Sequence, residues 1–261
     1  MFCLLSDIYF SINDKVKRRK KLFLSLSIIV ISTILIMNGS IFPSAKAQTE
    51  NCYNLLESKN TLPVLLIHGW NEGSGGNFPI HFDEWEQQMN QDRIPFCIIS
   101  FEQSSDACGS AVDHAKELAQ IIRNIISETG QNQVNIVGFS KGGLDARVYL
   151  SNDLDNDDVA NLIMIGTPNA GSSLATQTNE CLPGILDLRP GSSATMAREN
   201  IHTKYYTIAG ACLLLGDGLV STSSVNSQPY FDSLGTSNSC HRDLLGAYEY
   251  ELAYDVLVGK Q

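Results

Sequence analysis

Short, uninterrupted apolar runs recur from residue 62 onwards and predict strands that are buried on both faces. Strands of this kind are typical of a parallel sheet, because helices cover both faces of such a sheet. The runs span residues 62–67, 95–101, 134–137, 159–165 and 204–209. Residues 48–60 are polar, and we expect them to lead into the first strand.

Amphipathic segments separate these runs and predict helices. In the clearest one, Ser110 and Asp113 fit a capping box, and Gly130 marks the end of the helix. Its apolar positions recur at helical spacing: Leu118, Ile121, Ile122, Ile125 and Ile126. Further helices are predicted at residues 82–91, at residues 144–150 and from His241 onwards. The alternation predicts an α/β fold with a mostly parallel central sheet and helices on both faces.

The first 47 residues are expected to lie outside this fold. A basic cluster at residues 15–21 precedes an uncharged apolar run at residues 22–37, and Ala45 and Ala47 form a small-x-small pattern. This layout predicts a secretory signal peptide cleaved after Ala47 and an extracellular protein. The alternative is an uncleaved anchor at residues 22–37 with the folded domain outside the membrane. Residues 48–261 are predicted to form a single domain.

Removal of the signal changes the charge and cysteine inventory. The first 47 residues hold seven Lys/Arg and two Asp, so 11 basic and 26 acidic residues remain, a net charge of −15. Such a surface repels nucleic acid and anionic lipid headgroups. An even number of cysteines in an exported chain predicts up to three disulfides, with the pairing open. The six are Cys52, Cys97, Cys108, Cys181, Cys212 and Cys240.

The pentapeptide Gly138-Phe139-Ser140-Lys141-Gly142 lies between a predicted strand and a predicted helix. A serine nucleophile stands on a sharp, strained turn of this kind, where glycines avoid collisions with neighbouring backbone. Ser140 is therefore the candidate nucleophile. The backbone N–H of Lys141 is the first candidate donor to an oxyanion.

A glycine-rich segment follows the first predicted strand and supplies the second oxyanion candidate. It reads His68-Gly69-Trp70-Asn71-Glu72-Gly73, and the backbone N–H of Trp70 is the predicted donor. We interpret His68 as a structural residue that orders this loop through a hydrogen bond, because it precedes the nucleophile.

A serine nucleophile needs a base and a carboxylate that orients the base. Among the histidines at positions 68, 81, 114, 202 and 241, His241 has the expected place, between a polar loop and the last helix. Asp217, in a glycine-flanked turn after the strand at residues 204–209, is the predicted acid. Asp187 and Asp232 are the rival candidates.

These segments, taken together, resemble secreted bacterial-type triacylglycerol lipases and esterases of the α/β-hydrolase superfamily. The resemblance covers most of residues 62–258 and includes the His68-Gly69 pair, the Gly138–Gly143 turn, Gly166-Thr167-Pro168, Asp217-Gly218-Leu219-Val220 and His241. It implies an α/β-hydrolase fold and the roles of nucleophile, acid and base for Ser140, Asp217 and His241.

The chain departs from the pattern at three positions. Phe139, Lys141 and Asn169 stand where many relatives have His, Met and His. The Lys141 ammonium is expected to favour anionic or polar substrates. About 45 residues separate Ser172 from Asp217, so any lid is small, and residues 172–200 are expected to form a short cap or one wall of the substrate cleft.

The sequence therefore predicts a carboxylic-ester hydrolase that acts on a small-molecule or lipid ester, with possible contact to a lipid interface and without nucleic acid. Alternatives on the same site are a thioesterase, a polyester depolymerase or an acyltransferase. A hydrolase-like binding protein without catalysis is the alternative from another class. No cofactor or catalytic metal is predicted, and the aspartates at positions 153, 155, 157 and 158 leave a structural calcium open.

Overall fold

The computed structural model describes residues 51–55, 61–73, 75–77, 82–153 and 156–260. These residues belong to one compact unit, Lys46–Gln261. The predicted signal peptide or anchor lies outside the described residues. Among the described residues, no helix has both the length and the apolar character that crossing a bilayer requires.

A twisted sheet of seven described strands forms the centre of the fold, with the order β1-β3-β2-β4-β5-β6-β7. The strands are β1 (Cys52–Tyr53), β2 (Val64–Ile67), β3 (Phe96–Ile99), β4 (Val134–Phe139), β5 (Val159–Ile165), β6 (Lys204–Gly210) and β7 (Phe231–Ser237). Only β1 runs antiparallel to its neighbour; the other pairs are parallel. The predicted mostly parallel sheet is confirmed.

Helices cover both faces of the sheet. They are α1 (Asp83–Asp92), α2 (Ala111–Thr129), α3 (Lys141–Asn152), α4 (Gly184–Asp187), α5 (Thr222–Val225) and α6 (Ala247–Leu257). Alternate residues of β2 enter two separate cores: Leu65 and Ile67 pack with α2 and α3, whereas Val64 and Leu66 pack with α1 and α6. This two-sided burial explains the uninterrupted apolar runs, because neither side of an inner strand meets water.

The predicted helix α2 has the expected ends. The Ser110 side chain accepts a hydrogen bond from the Asp113 N–H at 3.1 Å. Gly130 ends the helix with a φ of 69°, which a glycine adopts without strain. The last helix begins later than predicted: a 3-10 turn spans His241–Asp243, and α6 starts only at Ala247. Glu249 explains this start, because its side chain accepts from the Gly246 N–H at 3.2 Å.

Two predictions about edge segments are wrong. Residues 231–237, predicted as part of a polar loop, form β7, and Cys52–Tyr53, predicted as a lead-in, form β1. Both strands lie at sheet edges. An edge strand is only partly covered, so β7 carries polar residues and lacks the continuous apolar run that marks the inner strands.

The six cysteines of the described chain form three disulfides, which confirms the predicted oxidised state. The pairs are Cys52–Cys97, Cys108–Cys181 and Cys212–Cys240. The first joins β1 to β3. The third joins the segments that follow β6 and β7.

Candidate active site

Ser140 lies on the sharp turn between β4 and α3. Its φ of 51° and ψ of −119° are unfavourable for a residue with a side chain, so the surrounding structure must hold the strain. A Cβ on Gly138 would come within 2.5 Å of Gly143 Cα, and one on Gly142 would lie 2.4 Å from the Ile67 carbonyl oxygen. The two glycines of the pentapeptide are therefore required by close backbone approaches, as the sequence predicted.

A hydrogen-bonded chain joins the three predicted triad residues. His241 Nε2 lies 2.9 Å from Ser140 Oγ, and His241 Nδ1 lies 2.7 Å from Asp217 Oδ2. A carboxylate only accepts, so Nδ1 carries the proton and Nε2 is left to accept from the serine hydroxyl. All three residues are buried, and Asp217 is only 2% exposed.

Backbone contacts fix the positions of the acid and the base. The second Asp217 oxygen accepts from the N–H groups of Leu219 and Val220 at 2.9 and 2.7 Å. The His241 N–H donates to the Asp217 carbonyl at 2.9 Å. The disulfide Cys212–Cys240 ties together the same two segments. Asp217 and His241 are thus held by interactions that do not depend on their own side-chain contact.

The rival residues do not join this chain. Asp187 accepts from the Ala111 N–H at 2.6 Å and lies 4.0 Å from Lys141 Nζ. Asp232 is an exposed residue within β7, and His202 is exposed before β6. In the structure His241 therefore contacts Asp217, and it contacts neither Asp187 nor Asp232.

The loop after β2 presents the peptide between Gly69 and Trp70. His68 Nδ1 lies 2.9 Å from the Gly69 carbonyl oxygen, and His68 Nε2 lies 2.7 Å from Asp106. In a trans peptide the N–H points away from the C=O, so His68 also fixes the direction of the Trp70 N–H. The interpretation of His68 as a loop-ordering residue is confirmed.

The protonation of His68 follows from its two acceptors. Burial alone would lower its pKa, but the hydrogen bond and the charge of Asp106 raise the pKa above its ordinary value. Two acceptors favour the doubly protonated ring. The hydrogen bond of His68 Nδ1 to the Gly69 carbonyl polarises this peptide and strengthens the Trp70 N–H as a donor.

The expectation for the Lys141 side chain is wrong. Lys141 is 1% exposed, and its ammonium lies 2.5 Å from Asp145 and 3.3 Å from His114. It therefore does not meet a substrate. Burial opposes ionisation of Asp145, but the charge of Lys141 and the contact with His114 lower the pKa of this carboxyl below its usual range. The i, i+4 spacing of Lys141 and Asp145 on a helix is the signal that could have revealed this pair.

A mainly apolar pocket of about 230 Å³ opens at Ser140 and His241. One wall comes from residues 172–188, a 3-10 turn (Ser173–Thr176) followed by α4. Of the segment 172–200, predicted as a short cap or a wall of the cleft, the part up to Leu188 thus forms a wall of this pocket. The apolar lining residues are Pro168, Leu174, Ala175, Ile185, Leu188, Leu219 and Val220.

Sequence reasoning overlooked Glu72, which also lines this pocket. The signal was available: Glu72 is the single charged residue of the glycine-rich loop, residues 69–76. Asn169, which replaces the histidine of many relatives, is buried and accepts from Arg147 at 3.1 Å.

Within the part of the chain that the structure describes, no cluster of three or more His, Cys, Asp or Glu side chains has the arrangement of a metal site. Of the aspartates noted in the sequence, Asp158 accepts a hydrogen bond from the Tyr149 hydroxyl. Asp155 lies outside the described residues.

Comparison with solved structures defines the fold class. The lipase BlEst2 of Bacillus licheniformis in its mature form matches with a TM-score of 0.63 and 22% identity, over 77% of this chain and 93% of that one. The product of lin2722 from Listeria innocua matches with a TM-score of 0.55 and 17% identity, over 77% and 95% of the two chains. The protein has the α/β-hydrolase fold, as predicted.

Sequence comparison gives the family. The profile of the palmitoyl protein thioesterase family matches residues 63–211, more than half of the chain. The protein belongs to this family. Triacylglycerol lipases of Pseudarthrobacter phenanthrenivorans and Burkholderia plantarii are each 27% identical over 125 residues, 46% of this chain. The matched part spans only 37% and 33% of those lipases. The resemblance to lipases and esterases is thereby confirmed.

Proposed function

We propose that the protein is a serine hydrolase of carboxylic esters, with Ser140 as nucleophile, His241 as base and Asp217 as the acid that orients it. The single observation that carries the proposal is the hydrogen-bonded chain from Ser140 Oγ through His241 to Asp217. Membership in the palmitoyl protein thioesterase family and similarity to triacylglycerol lipases support the same acyl chemistry.

In this mechanism Ser140 Oγ attacks the acyl carbonyl while His241 Nε2 takes the hydroxyl proton. The N–H groups of Trp70 and Lys141 donate to the tetrahedral oxyanion. When the intermediate collapses, His241 gives its proton to the leaving alkoxide and an acyl-enzyme remains. Water, deprotonated by His241, then releases the acid. The described side chains supply every proton transfer, so the proposal needs no cofactor.

The pocket indicates what binds near Ser140. Its apolar wall suits a hydrocarbon acyl group, and about 230 Å³ is below the range of roughly 300–1,000 Å³ that holds drug-sized ligands. We therefore assign the acyl group to the pocket and the alcohol part of the ester to the opening.

Exposed leucines in and near the pocket wall support contact with a lipid interface, and two of them, Leu174 and Leu219, line the pocket itself. Seven of the twelve large apolar side chains that are exposed within the described ranges belong to two segments beside the pocket. This leucine rim consists of Leu174, Leu182, Leu186, Leu213, Leu214, Leu215 and Leu219. The segments carry two acidic residues, Glu180 and the buried Asp217, and no basic one. The exposed leucines carry no charge, which suits an uncharged lipid surface, and Arg242 is the basic residue that lines the pocket beside them.

Thioester hydrolysis is the second candidate, and the family match favours it. The steps would be the same, with a thiolate as leaving group. Because a thiolate leaves without protonation, thioester turnover should depend less on His241 as an acid. Parallel assays on oxygen and sulfur esters of one acyl group would rank the two activities.

The disulfides also support export. Disulfides persist in oxidising compartments, outside the cytosol. We propose that the protein acts outside the cell. Mass analysis of its N-terminus from the culture medium and from the membrane fraction would distinguish cleavage after Ala47 from anchoring by residues 22–37.

Hydrolysis of p-nitrophenyl esters from acetyl to palmitoyl, by the full chain and by Ser140→Ala, tests the proposal. We expect activity that depends on Ser140, while thermal unfolding of the variant stays close to that of the parent. Activity at short chains would indicate an esterase, and activity that rises above substrate solubility would indicate a lipase. Equal residual hydrolysis by both proteins would contradict the assignment of Ser140.

A further inference from the structure

Glu72 places a buried carboxyl group in the wall of the active-site pocket. It is 4% exposed, and it lines the pocket together with Ser140 and His241. Both carboxyl oxygens lie within 3.1 Å of the position that a Cβ on Gly69 would occupy, and this position is 2.9 Å from Ser140 Cβ. The carboxyl group therefore lies beside the nucleophile without belonging to the triad.

Glu72 also holds the loop that carries the candidate oxyanion donor. Its Oε2 accepts from the Gly69 N–H at 2.6 Å. His68 holds the carbonyl of the same residue at 2.9 Å. Glu72 and His68 thus hold the N–H and the carbonyl of Gly69. Together these two contacts determine the position of the Trp70 N–H, which follows Gly69 in the chain.

A carboxylate at this place has the wrong charge for the reaction. The tetrahedral intermediate carries a negative oxygen next to Ser140, and two like charges in a buried site repel each other strongly. A protonated carboxyl removes this repulsion. Its carbonyl oxygen can still accept from the Gly69 N–H, so the loop keeps its anchor.

The groups that face Glu72 determine when it is protonated. Burial raises the pKa of the Glu72 carboxyl to about 7. The Gly69 N–H, His68 and Arg242 oppose this rise, and so does His241 once it holds the proton taken from Ser140. The two histidines are themselves paired with carboxylates, Asp106 and Asp217.

We propose that Glu72 is a positioning residue of the oxyanion loop and that the hydrolase turns over with this carboxyl group protonated. The inference rests on the proposed ester hydrolysis. Glu72 holds Gly69 in either protonation state, but only its neutral form tolerates the oxyanion. Turnover is therefore lost at alkaline pH, when Glu72 ionises.

The pH profile of kcat/KM on p-nitrophenyl butyrate, between pH 5 and 10 with the full chain, tests this inference. We expect the parent protein to lose about tenfold or more above pH 7. Glu72→Gln, which resembles the protonated acid in shape and charge, should keep its activity up to pH 9. Three results would each overturn the proposal. They are an alkaline loss of activity that persists in Glu72→Gln, a parent protein without any alkaline loss, and a Glu72→Gln protein that is inactive.

Two further variants separate positioning from charge. Glu72→Ala removes the acceptor for Gly69 N–H and should lower kcat about tenfold below pH 7, with little change in KM and without the alkaline loss of the parent. An unchanged kcat would refute the positioning role. Glu117→Gln is the matched control, because Glu117 is a buried carboxyl that accepts from loop groups, Ser104 Oγ at 2.7 Å and the Gln103 N–H. Glu117→Gln should keep the pH profile of the parent. If Glu117→Gln also removed the alkaline decline in activity, the decline could not be assigned to Glu72.

The Ser140→Ala protein distinguishes this inference from the proposed function. If hydrolysis did not depend on Ser140, the function itself would be wrong. If hydrolysis depended on Ser140 but had the same alkaline limb in the parent and in Glu72→Gln, only the role of Glu72 would be wrong.

Discussion

Two of the buried histidine–aspartate pairs make their contact through the histidine Nδ1 with nearly equal geometry, and each pair also contacts the turn at Ser140 and Lys141. In one, His241 Nδ1 is 2.7 Å from Asp217; in the other, His114 Nδ1 is 2.8 Å from Asp145. All four residues are buried. Distance and burial alone would therefore rank the two pairs as equal candidates for an acid–base pair.

The second ring nitrogen separates them. His241 Nε2 meets the Ser140 hydroxyl at 2.9 Å, whereas His114 Nε2 meets the Ser105 carbonyl oxygen at 3.2 Å. A hydroxyl has a proton to give and a lone pair with which to attack, and a backbone carbonyl has neither role. A short histidine–aspartate contact is therefore a structural motif until its far nitrogen reaches a reactive group.

The His114 pair has a different task, which is to neutralise Lys141. The Lys141 ammonium lies 2.5 Å from Asp145. It belongs to the residue whose backbone N–H is the proposed oxyanion donor. The ring of His114 stacks on Phe101 with centroids 4.0 Å apart, which fixes it from the other side. This pair thus contacts the turn through Lys141, while His241 of the other pair lines the pocket.

The largest effect is expected for Asp217→Asn. An amide can donate to His241 Nδ1 and then stabilises the wrong tautomer, so kcat should fall about 10⁴-fold. Stability should change little, because the shape is preserved. Steady-state kinetics and thermal unfolding of the same preparation measure both. A small change in kcat would mean that Asp217 and His241 form a structural pair like the other one.

Asp145→Asn should show the opposite pattern. It leaves the ammonium of Lys141 buried without its carboxylate, which costs about 3–5 kcal/mol of unfolding free energy. The loss of kcat per folded molecule should be far smaller than in Asp217→Asn. Urea unfolding with active-site titration checks this, and a stable but inactive Asp145→Asn would refute the division of tasks.

Glu72 sharpens the comparison, because it is a buried carboxyl whose pKa is raised, whereas the pKa of Asp145 is lowered. A folded-state pKa of about 7 lies above the ordinary value of 4.5. Stability from this group is therefore complete below pH 4.5 and is lost as the pH rises through 7. The loss should reach about 3 kcal/mol. Urea unfolding at pH 5 and 8.5 measures this loss, and we expect it to be absent in Glu72→Gln. An equal change in unfolding free energy between the two pH values in both proteins would contradict the raised pKa.

The smallest effect concerns the outer edge of the site. Leu214 is 99% exposed, and burial of one such side chain in lipid contributes roughly 1.5–3 kcal/mol. Leu214→Ser should weaken binding to neutral lipid emulsions about tenfold and leave hydrolysis of water-soluble acetyl esters unchanged. Ile201→Ser is the control, since Ile201 is exposed but precedes β6, at the opposite end of the strand from the site. Equal binding by both variants would argue against the leucine rim.

Much of this site could be predicted from the sequence because its chemistry is local. A turn of only five residues requires the glycines around Ser140. The order of Ser140, Asp217 and His241 follows the order of the strands that precede them. The inner strands were predicted because burial on both faces leaves an apolar run. These features need no knowledge of distant contacts.

The features that the sequence did not predict depend on tertiary contacts. Burial of the Lys141 ammonium depends on His114, a residue 27 positions earlier that the fold brings to 3.3 Å. The disulfide pairing depends on which loops meet. The edge strand β7 is polar because it is half covered, so its residues resemble a loop. Glu72 is recognisable in the sequence as the charged residue of its loop. Its burial beside Ser140, however, is a property of the folded loop.

The disulfide Cys212–Cys240 affects what happens to the site when the edge strand β7 opens locally. Residues 212–240 form a covalently closed ring that contains Asp217 and the whole of β7, and His241 follows directly after it. Edge strands exchange their amide protons early because they open without global unfolding. If β7 frays in this way, the disulfide still tethers the segment of Asp217 to that of His241, and their mutual hydrogen bonds do not involve β7. Rapid amide exchange in β7 and a persistent acid–base pair are therefore compatible in this molecule.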